Sequence, residues 1–326
     1  MRLKIHLLNM TVFILMFVHL PVLAKWHEKT FHVMGTEARV QLWQQDKLDA
    51  ELLIQAVIDE MNRIDQSMSP YIATSELSKV NQQGYINPVM ISDELFTLIS
   101  QAQSIAELSQ GAFDITYASI GYQYDYRNKH KPEQLEIDKA LPAINYQSIV
   151  LNPKNKTISF QQPGTRIDLG GIAKGHAVKR CLAILQQAGV QHALVSAGGD
   201  TGLLGDRKGR PWMVGVKHPR AEHKSAVHLP LSNEAISTSG DYERYFIEDG
   251  IRYHHILNPK TGKSANQVVS VSVIGDDPTM VDALSTTLFV LGLQPAMALI
   301  DNLLGYEAII IDNQQTLHFS KGLSTP

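Results

Sequence analysis

The sequence predicts an α+β protein with largely antiparallel sheets and packed helices. Three observations support this. Segments with the two-residue alternation of strands outnumber those with helical spacing, neighbouring strand-like segments are mostly joined by short turns, and no repeat, low-complexity tract or linker divides the chain.

From Lys25, WHEKTFHVMGTEARVQLW alternates apolar and polar residues on both sides of MGT, the pattern of a hairpin or two short strands. DKLDAELLIQAVIDEMNRIDQSMS then takes helical spacing, with Leu52, Ile54, Val57, Ile58, Met61 and Ile64 on one broad face. That helix is expected to stop before Pro70, because the residue preceding proline avoids helical angles. DELFTLISQAQSIAELSQG reads as a second helix, with Asp93 near its start and Gly111 just past its end. The stretch from Tyr124 to Gln147 is polar and rich in turn residues, and SIVLNPKNKTISF after it reads as strand, turn, strand. RIDL is expected to end a strand, and AKGHAVKR to open an amphipathic helix ending at Gly189. HALVSAGGD is a buried strand running into glycines, and WMVGVKHP, EAISTSG, YERYFIEDGIRYHHILNP and VSVSVIG are strand-like. TMVDALSTTLFVLG is a helix started by Pro278 and the aspartates before it. YEAIIIDNQQTLHFS closes the chain as two strands around a turn.

Composition narrows the function classes. The chain has 326 residues, 44% hydrophobic, with a formal net charge of −3, which suits an ordinary globular protein and lacks the basic excess of nucleic-acid binders. Its 13 histidines are scattered and form no HExxH spacing. The lone Cys181 excludes an intramolecular disulfide and any cysteine-built metal site, and on an apparent helix it reads as a buried small thiol. Residues 1–24 stand apart: Arg2 and Lys4 precede the apolar run LLNMTVFILMFVHLPVLA, and Val22 and Ala24 suit a cleavage before Lys25. They read as a secretory signal peptide, with residues 25–326 as one exported unit. The run also approaches the length of a membrane span, so its retention as an anchor is the competing reading.

Several short stretches can carry chemistry. In RIDLGGIAKGH, Asp168 and Lys174 flank Gly170 and Gly171 at an expected helix start, where free amides and the helix dipole favour an anion. Gly170 and Gly175 have the separation of a P-loop, but His176 follows where its lysine would stand. On pattern alone, an ordinary glycine turn fits the stretch better. In GAFD, Phe113 reads as core and Asp114 as a cap. SAGGD places flexible backbone after a buried strand, open to a flat or charged ligand. Asp282 and Thr286 lie four apart on one face of an apolar helix; their oxygens suit a hard cation such as Mg2+, although such a pair is often merely solvated. A carboxylate in that apolar setting needs a partner. His254 and His255 end a strand before NPKTG, and a histidine beside a phosphate site is a candidate base.

MGT, SPYIATSELSKVN, GAFD, RIDLGGIAKGHAV, SAGGD, STSGDYERY, HILNPKTG and VDALSTTLFVLG occur in an order that resembles the ApbE family, the FAD:protein FMN transferases, over about residues 31 to 293. The resemblance implies an ApbE-like, T-fold-like architecture and an exported, periplasmic, Mg2+-dependent enzyme. Such an enzyme splits FAD and joins its FMN half, through a phosphoester, to a threonine of a target flavoprotein, such as a subunit of sodium-translocating NADH:quinone oxidoreductase or a related electron-transport complex. It further implies that Met34, Tyr71, Ala112, Phe113 and Asp114 line the flavin and adenosine sites. Asp168 and Lys174 would contact FAD, and Ile256 would pack on it. Gly171 (through its carbonyl), Asp282 and Thr286 would hold Mg2+, and His255 would serve as base. FDIT stands where many members have FDPT, AVKR replaces the usual AVD, and the lipoprotein cysteine of many members is absent.

Two other functions share this site: a Mg2+-dependent FAD pyrophosphatase giving FMN and AMP, and an extracytoplasmic flavin-binding protein without turnover. The chain carries no GxSxG or other nucleophile signature, as expected if the attacking hydroxyl comes from outside.

Overall fold

The structure, a computed structural model, describes residues 24–221 and 223–324. The expected leader at 1–24 lies outside these, apart from Ala24. Among the described residues no helix is long and apolar enough to cross a membrane.

The alternation around MGT produces a hairpin, β1 (Lys25–Val33) and β2 (Thr36–Gln44), paired from Lys25↔Gln44 to Val33↔Thr36. Its two-residue turn has positive φ at both Met34 (52°) and Gly35 (70°), the twist that two-residue hairpins require. Glycine takes that conformation freely, whereas Met34 is strained in it. Helix α1 (Lys47–Met68) starts at Asp46, whose carboxylate accepts from the amides of Leu48 and Asp49, and it ends before Pro70 as expected. It buries Val57, Met61, Ile64 and Met68, but Leu52 is 62% exposed. The expected face was too broad: Leu52 is five residues from Val57, about 140° around the helix.

A short helix not expected from the sequence follows, α2 (Glu76–Gln83), capped by Ser75. After β3 (Val89–Met90) comes α3 (Asp93–Leu108), whose cap is Ser92, with Asp93 inside the first turn. Helix α4 (Ala118–Gly121) precedes the polar stretch, which forms α5 (Gln134–Ala140), and β4 (Ile149–Asn152) and β5 (Thr157–Phe160) join β3 in a small sheet ordered β3-β5-β4. RIDL forms no strand among the described residues, correcting the expectation; helix α6 (Ala173–Gln187) begins five residues after Asp168.

The rest of the chain runs β6 (Ala193–Ala197), β7 (Asp200–Leu204), β8 (Trp212–Lys217), β9 (Ser225–Leu231), β10 (Ala235–Gly240), β11 (Tyr245–Glu248) and β12 (Ile251–His254). Then come β13 (Leu257–Asn258), β14 (Lys263–Ser264), β15 (Val268–Gly275), α7 (Pro278–Leu291), α8 (Leu293–Ile300), β16 (Glu307–Asp312), β17 (Leu317–Phe319) and α9 (Lys321–Ser324). Eight strands form one sheet in the order β1-β2-β6-β7-β10-β15-β16-β17, and every neighbouring pair is antiparallel. That establishes the α+β class expected from the sequence.

Helices α6 and α7 pack on each other and on one face of this sheet, with α1 against α6. The opposite face carries Leu203, Ile236, Ile274 and Ile309, covered by the β8–β9 hairpin through Trp212, Val216, Leu229 and Leu231. β15 is therefore buried along its whole length, which is why VVSVSVIG contains no charge. The α6–α7 contact is unusually close. A Cβ on Gly175 would fall 2.2 Å from the Pro278 carbonyl oxygen and 2.7 Å from the Asp282 Cβ, so only glycine fits there. This approach brings RIDLGGIAKGH against the helix that carries Asp282.

Candidate active site

Asp277 caps α7 through the Thr279 amide, and Pro278 follows at the first helical position. Between Val281 and Val290 every residue of this helix is buried except Thr286, which is half-buried. Asp282 is 2% exposed. Its Oδ2 accepts from the Gly175 amide at 2.9 Å, in the first turn of α6. In a regular helix that amide would return to the Gly171 carbonyl, so this bond leaves the carbonyl to other partners.

A second carboxylate stands opposite. Asp200 opens β7, is 2% exposed, and its Oδ1 accepts from Ser237 Oγ at 2.5 Å. Between the two lies Lys174, whose Nζ is 2.9 Å from Asp200 Oδ2, 3.5 Å from Asp282 Oδ2 and 3.2 Å from the Gly170 carbonyl oxygen. Burial works to lower the Lys174 pKa, but the charges of Asp200 and Asp282 outweigh it and hold the ammonium above its usual range. Burial, and then the negative charge of Asp200, raise the Asp282 carboxyl well above the ordinary carboxylate range. Two buried carboxylates thus share one ammonium, and Asp200 Oδ2 has no properly angled hydrogen bond despite its ion pair. One more positive charge would complete the cluster.

Thr286 Oγ1 lies at the edge of this cluster, 3.1 Å from Ser239 Oγ. A Cβ on Gly171 would come within 3.3 Å of Thr286 Oγ1 and 3.2 Å of the Phe113 ring, so the glycine keeps the space in front of that oxygen open. Among the described residues no group of three or more His, Cys, Asp and Glu side chains converges on a metal position. The oxygens gathered here are two carboxylates, a hydroxyl and a backbone carbonyl, the hard donors that suit Mg2+.

The other expected residues surround this centre at varying remove. Asp168 is half-buried; burial raises its carboxyl, opposed by the Gly170 amide it accepts at 2.6 Å and by the charges of Arg244 and Lys174. Ala112 and Phe113 are buried. Asp114 caps the turn after it: Oδ1 accepts from the Thr116 amide and hydroxyl, and Oδ2 from the Tyr146 amide at 2.9 Å. It also lines a hollow of about 160 Å³ with Gly111, Tyr146 and Pro259, which joins GAFD to the NPKTG turn. Ile256 is buried, and Tyr71 is 86% exposed. His254 is structural, its Nε2 2.5 Å from the Ala265 carbonyl oxygen and its ring edge-on to Phe289. Burial, with the nearby positive charge of Arg244, pushes the His255 pKa down to about 3, and its Nδ1 has no partner among the described residues. Neutral His255 therefore keeps a nitrogen for a ligand. Cys181 is buried with its thiol pushed up to about 12, so it is no nucleophile.

Sequence reasoning assigned no role to Asp200, Arg244, Ser237, Ser239 or Ser285. Arg244 is exposed, and its guanidinium makes a single hydrogen bond, to the Gly35 carbonyl oxygen at 3.4 Å. Its charge bears on Asp168, Lys174 and His255, so it is a cation at the mouth of the site without an ion-pair partner among the described residues. The motifs SAGGD, STSGDYERY and VDALSTTLFVLG contained these residues; only the fold shows that their side chains converge.

Comparison with known proteins bears on the same motifs. The family model for the ApbE family matches residues 34–310. The chain belongs to the ApbE family. A FAD:protein FMN transferase of Vibrio cholerae is 32% identical over 81% of this chain and 81% of that protein, and one of Klebsiella pneumoniae is 29% identical over 88% and 90%. Among solved structures, the ApbE protein of Thermotoga maritima aligns with a TM-score of 0.85 at 34% identity, covering 92% of this chain and 98% of that one. The ApbE architecture expected from the motifs is the architecture found.

Proposed function

We propose that this ApbE-family enzyme transfers FMN from FAD to a threonine hydroxyl of an acceptor flavoprotein, with Mg2+ bound, and releases AMP. One observation carries the proposal: two buried carboxylates share a single ammonium beside a Thr286 hydroxyl that Gly171 leaves uncovered. Asp282, Thr286 and the Gly171 carbonyl would hold the metal, with Asp200 balancing Lys174 behind them. Bound there, Mg2+ would supply Lewis-acid stabilisation of the charge that builds on the diphosphate as it is cleaved.

The protein groups supply the rest. Arg244, without an ion-pair partner among the described residues, attracts the diphosphate to the mouth of the site, while Lys174 fixes the positions of both carboxylates. Of the expected ring contacts, half-buried Met34 and exposed Tyr71 offer apolar surface to FAD, whereas Phe113 and Ile256 are buried. The acceptor oxygen attacks the FMN-side phosphorus, its proton passes to neutral His255, and the bond to the AMP phosphate breaks with the electron pair leaving on AMP. Burial first, and then the Arg244 and Lys174 charges, make His255 a weak base; the incoming diphosphate would offset those two charges. We place the reaction outside the cytoplasm on the strength of residues 1–24, and the acceptor among electron-transport subunits at the membrane.

Products separate transfer from hydrolysis. Incubation with FAD, Mg2+ and an acceptor should yield AMP without matching free FMN. Equal AMP and FMN with an unmodified acceptor would replace the transferase with the pyrophosphatase. Unaltered FAD would leave only a binding protein.

A further inference from the structure

Thr286 begins a line of hydroxyls that runs into the interior. Thr286 Oγ1 is 3.1 Å from Ser239 Oγ, which is 2.9 Å from Ser285 Oγ, which is 3.2 Å from Ser237 Oγ, which lies 2.5 Å from Asp200 Oδ1. Ser237 and Ser239 alternate on β10 and so face α7 together, while Ser237 pairs across the ladder with Asp200. Ser237, Ser285 and Asp200 are buried, whereas Ser239 and Thr286 are half-buried, so the line opens toward the site.

Each hydroxyl has one proton, and this fixes the direction of the line. An ionised carboxylate only accepts, so the Ser237 proton goes to Asp200. Ser285 has two acceptors that cannot donate to it: Ser237, whose proton is used, and the Asp282 carbonyl oxygen at 2.9 Å. The Ser285 proton goes to the nearer of these, the Asp282 carbonyl oxygen. Ser239 must then donate to Ser285, and Thr286 must donate to Ser239. A helical threonine would otherwise turn its proton back on the carbonyl four residues earlier. Here that carbonyl belongs to Asp282 and is already taken by Ser285.

We propose that Ser239 and Ser285, ending on the Asp282 carbonyl oxygen, form a one-way chain of hydrogen bonds that draws the Thr286 proton inward and turns its lone pairs into the site. They are positioning residues for the cation proposed above, and the inference rests on that reading. A hydroxyl whose proton is held this way presents oxygen alone to a cation, and polarisation along the chain strengthens it as a donor of electron density. Partners that orient a metal ligand in this way typically account for 10- to 100-fold in affinity.

The test follows urea unfolding of the full chain across a Mg2+ series, with Mg2+ alone as ligand, and converts the midpoint gain into an apparent affinity. Ser239→Ala and Ser285→Ala should each weaken that affinity about tenfold or more relative to their own chelated baselines, with FAD affinity in chelator unchanged. Ser239→Thr should restore it. A purely packing role would shift the chelated midpoint and leave the Mg2+ response as in wild type; that pattern in both alanine variants overturns the chain. If Thr286→Val loses the response while both serine variants keep it, the metal reading stands and the chain falls. If the wild type gains nothing from Mg2+, the metal reading fails and takes the chain with it.

Discussion

Lys174→Met tests whether the lysine is a structural counter-charge or serves the ligand alone. Its ammonium sits 2.9 Å from Asp200 and 3.5 Å from Asp282, both 2% exposed. At an effective dielectric near 20, contacts at these distances amount to roughly 6 and 5 kcal/mol of gross attraction. The net loss is smaller because the desolvation of the lysine is also removed; deleting one partner of a buried ion pair typically costs about 3–5 kcal/mol. Methionine retains most of the stem, so packing is largely preserved. The sign of the pH dependence follows from Asp282, whose carboxyl is already raised in the folded protein. A carboxyl raised above its unfolded value favours the fold most at low pH and loses that advantage as pH climbs through the folded value. Without Lys174 the rise is larger, so the variant should lose about 3–5 kcal/mol at pH 8 and clearly less at pH 5. Mg2+ should restore part of the loss by taking the place of the ammonium. Urea unfolding at both pH values, with chelator or Mg2+, reads all of this. A loss under about 1 kcal/mol at pH 8, or one independent of pH, would refute the shared-ammonium account.

Three further outcomes follow. Gly171→Ala should leave the unfolding midpoint within about 1 kcal/mol of wild type, since its φ is not left-handed, yet cut turnover at least tenfold because the methyl group crowds Thr286 Oγ1 at 3.3 Å; steady-state kinetics beside the melt separate the two. Met34→Gly should stabilise the chain by roughly 1 kcal/mol by removing a side chain at φ 52°, and weaken FAD binding measured by flavin fluorescence. His255→Gln should flatten the acid loss of stability. With a folded pKa of about 3 and an unfolded value near 6.5, His255 favours the fold above about pH 6.5 and loses that as pH falls toward 3, about 2 kcal/mol by pH 5.

The elements legible in the sequence were those whose pattern depends on one surface. The β1–β2 alternation, the Pro278 start of α7 and the uncharged run of β15 each record burial locally. Helix α2 was missed because ELSKVNQQ is short and mostly polar, and its only strong local mark is the Ser75 cap. Leu52 was misplaced because spacing indicates that a face exists, whereas the packing partners of α1 set its centre. At the site, Asp282 and Thr286 stood out as polar groups in an apolar helix. Ser237, Ser239 and Asp200 did not, because their meaning depends on which strand α7 crosses, and nothing local to STSG or SAGGD records that crossing. Lys174 was legible as a site residue, but the second buried carboxylate that holds its ammonium, Asp200, was not.

The most direct measurement of the central claim follows flavin onto the acceptor. Protein, FAD and a threonine-bearing acceptor subunit are mixed with Mg2+ or with chelator, denatured, and examined by intact mass and in-gel flavin fluorescence. Wild type with Mg2+ should leave the acceptor heavier by one FMN less water and fluorescent after unfolding. Chelation or Asp282→Ala should abolish both signals while Asp282→Ala still binds FAD. An acceptor that stays unmodified with active wild type, or is modified equally well by folded Asp282→Ala, would contradict the claim.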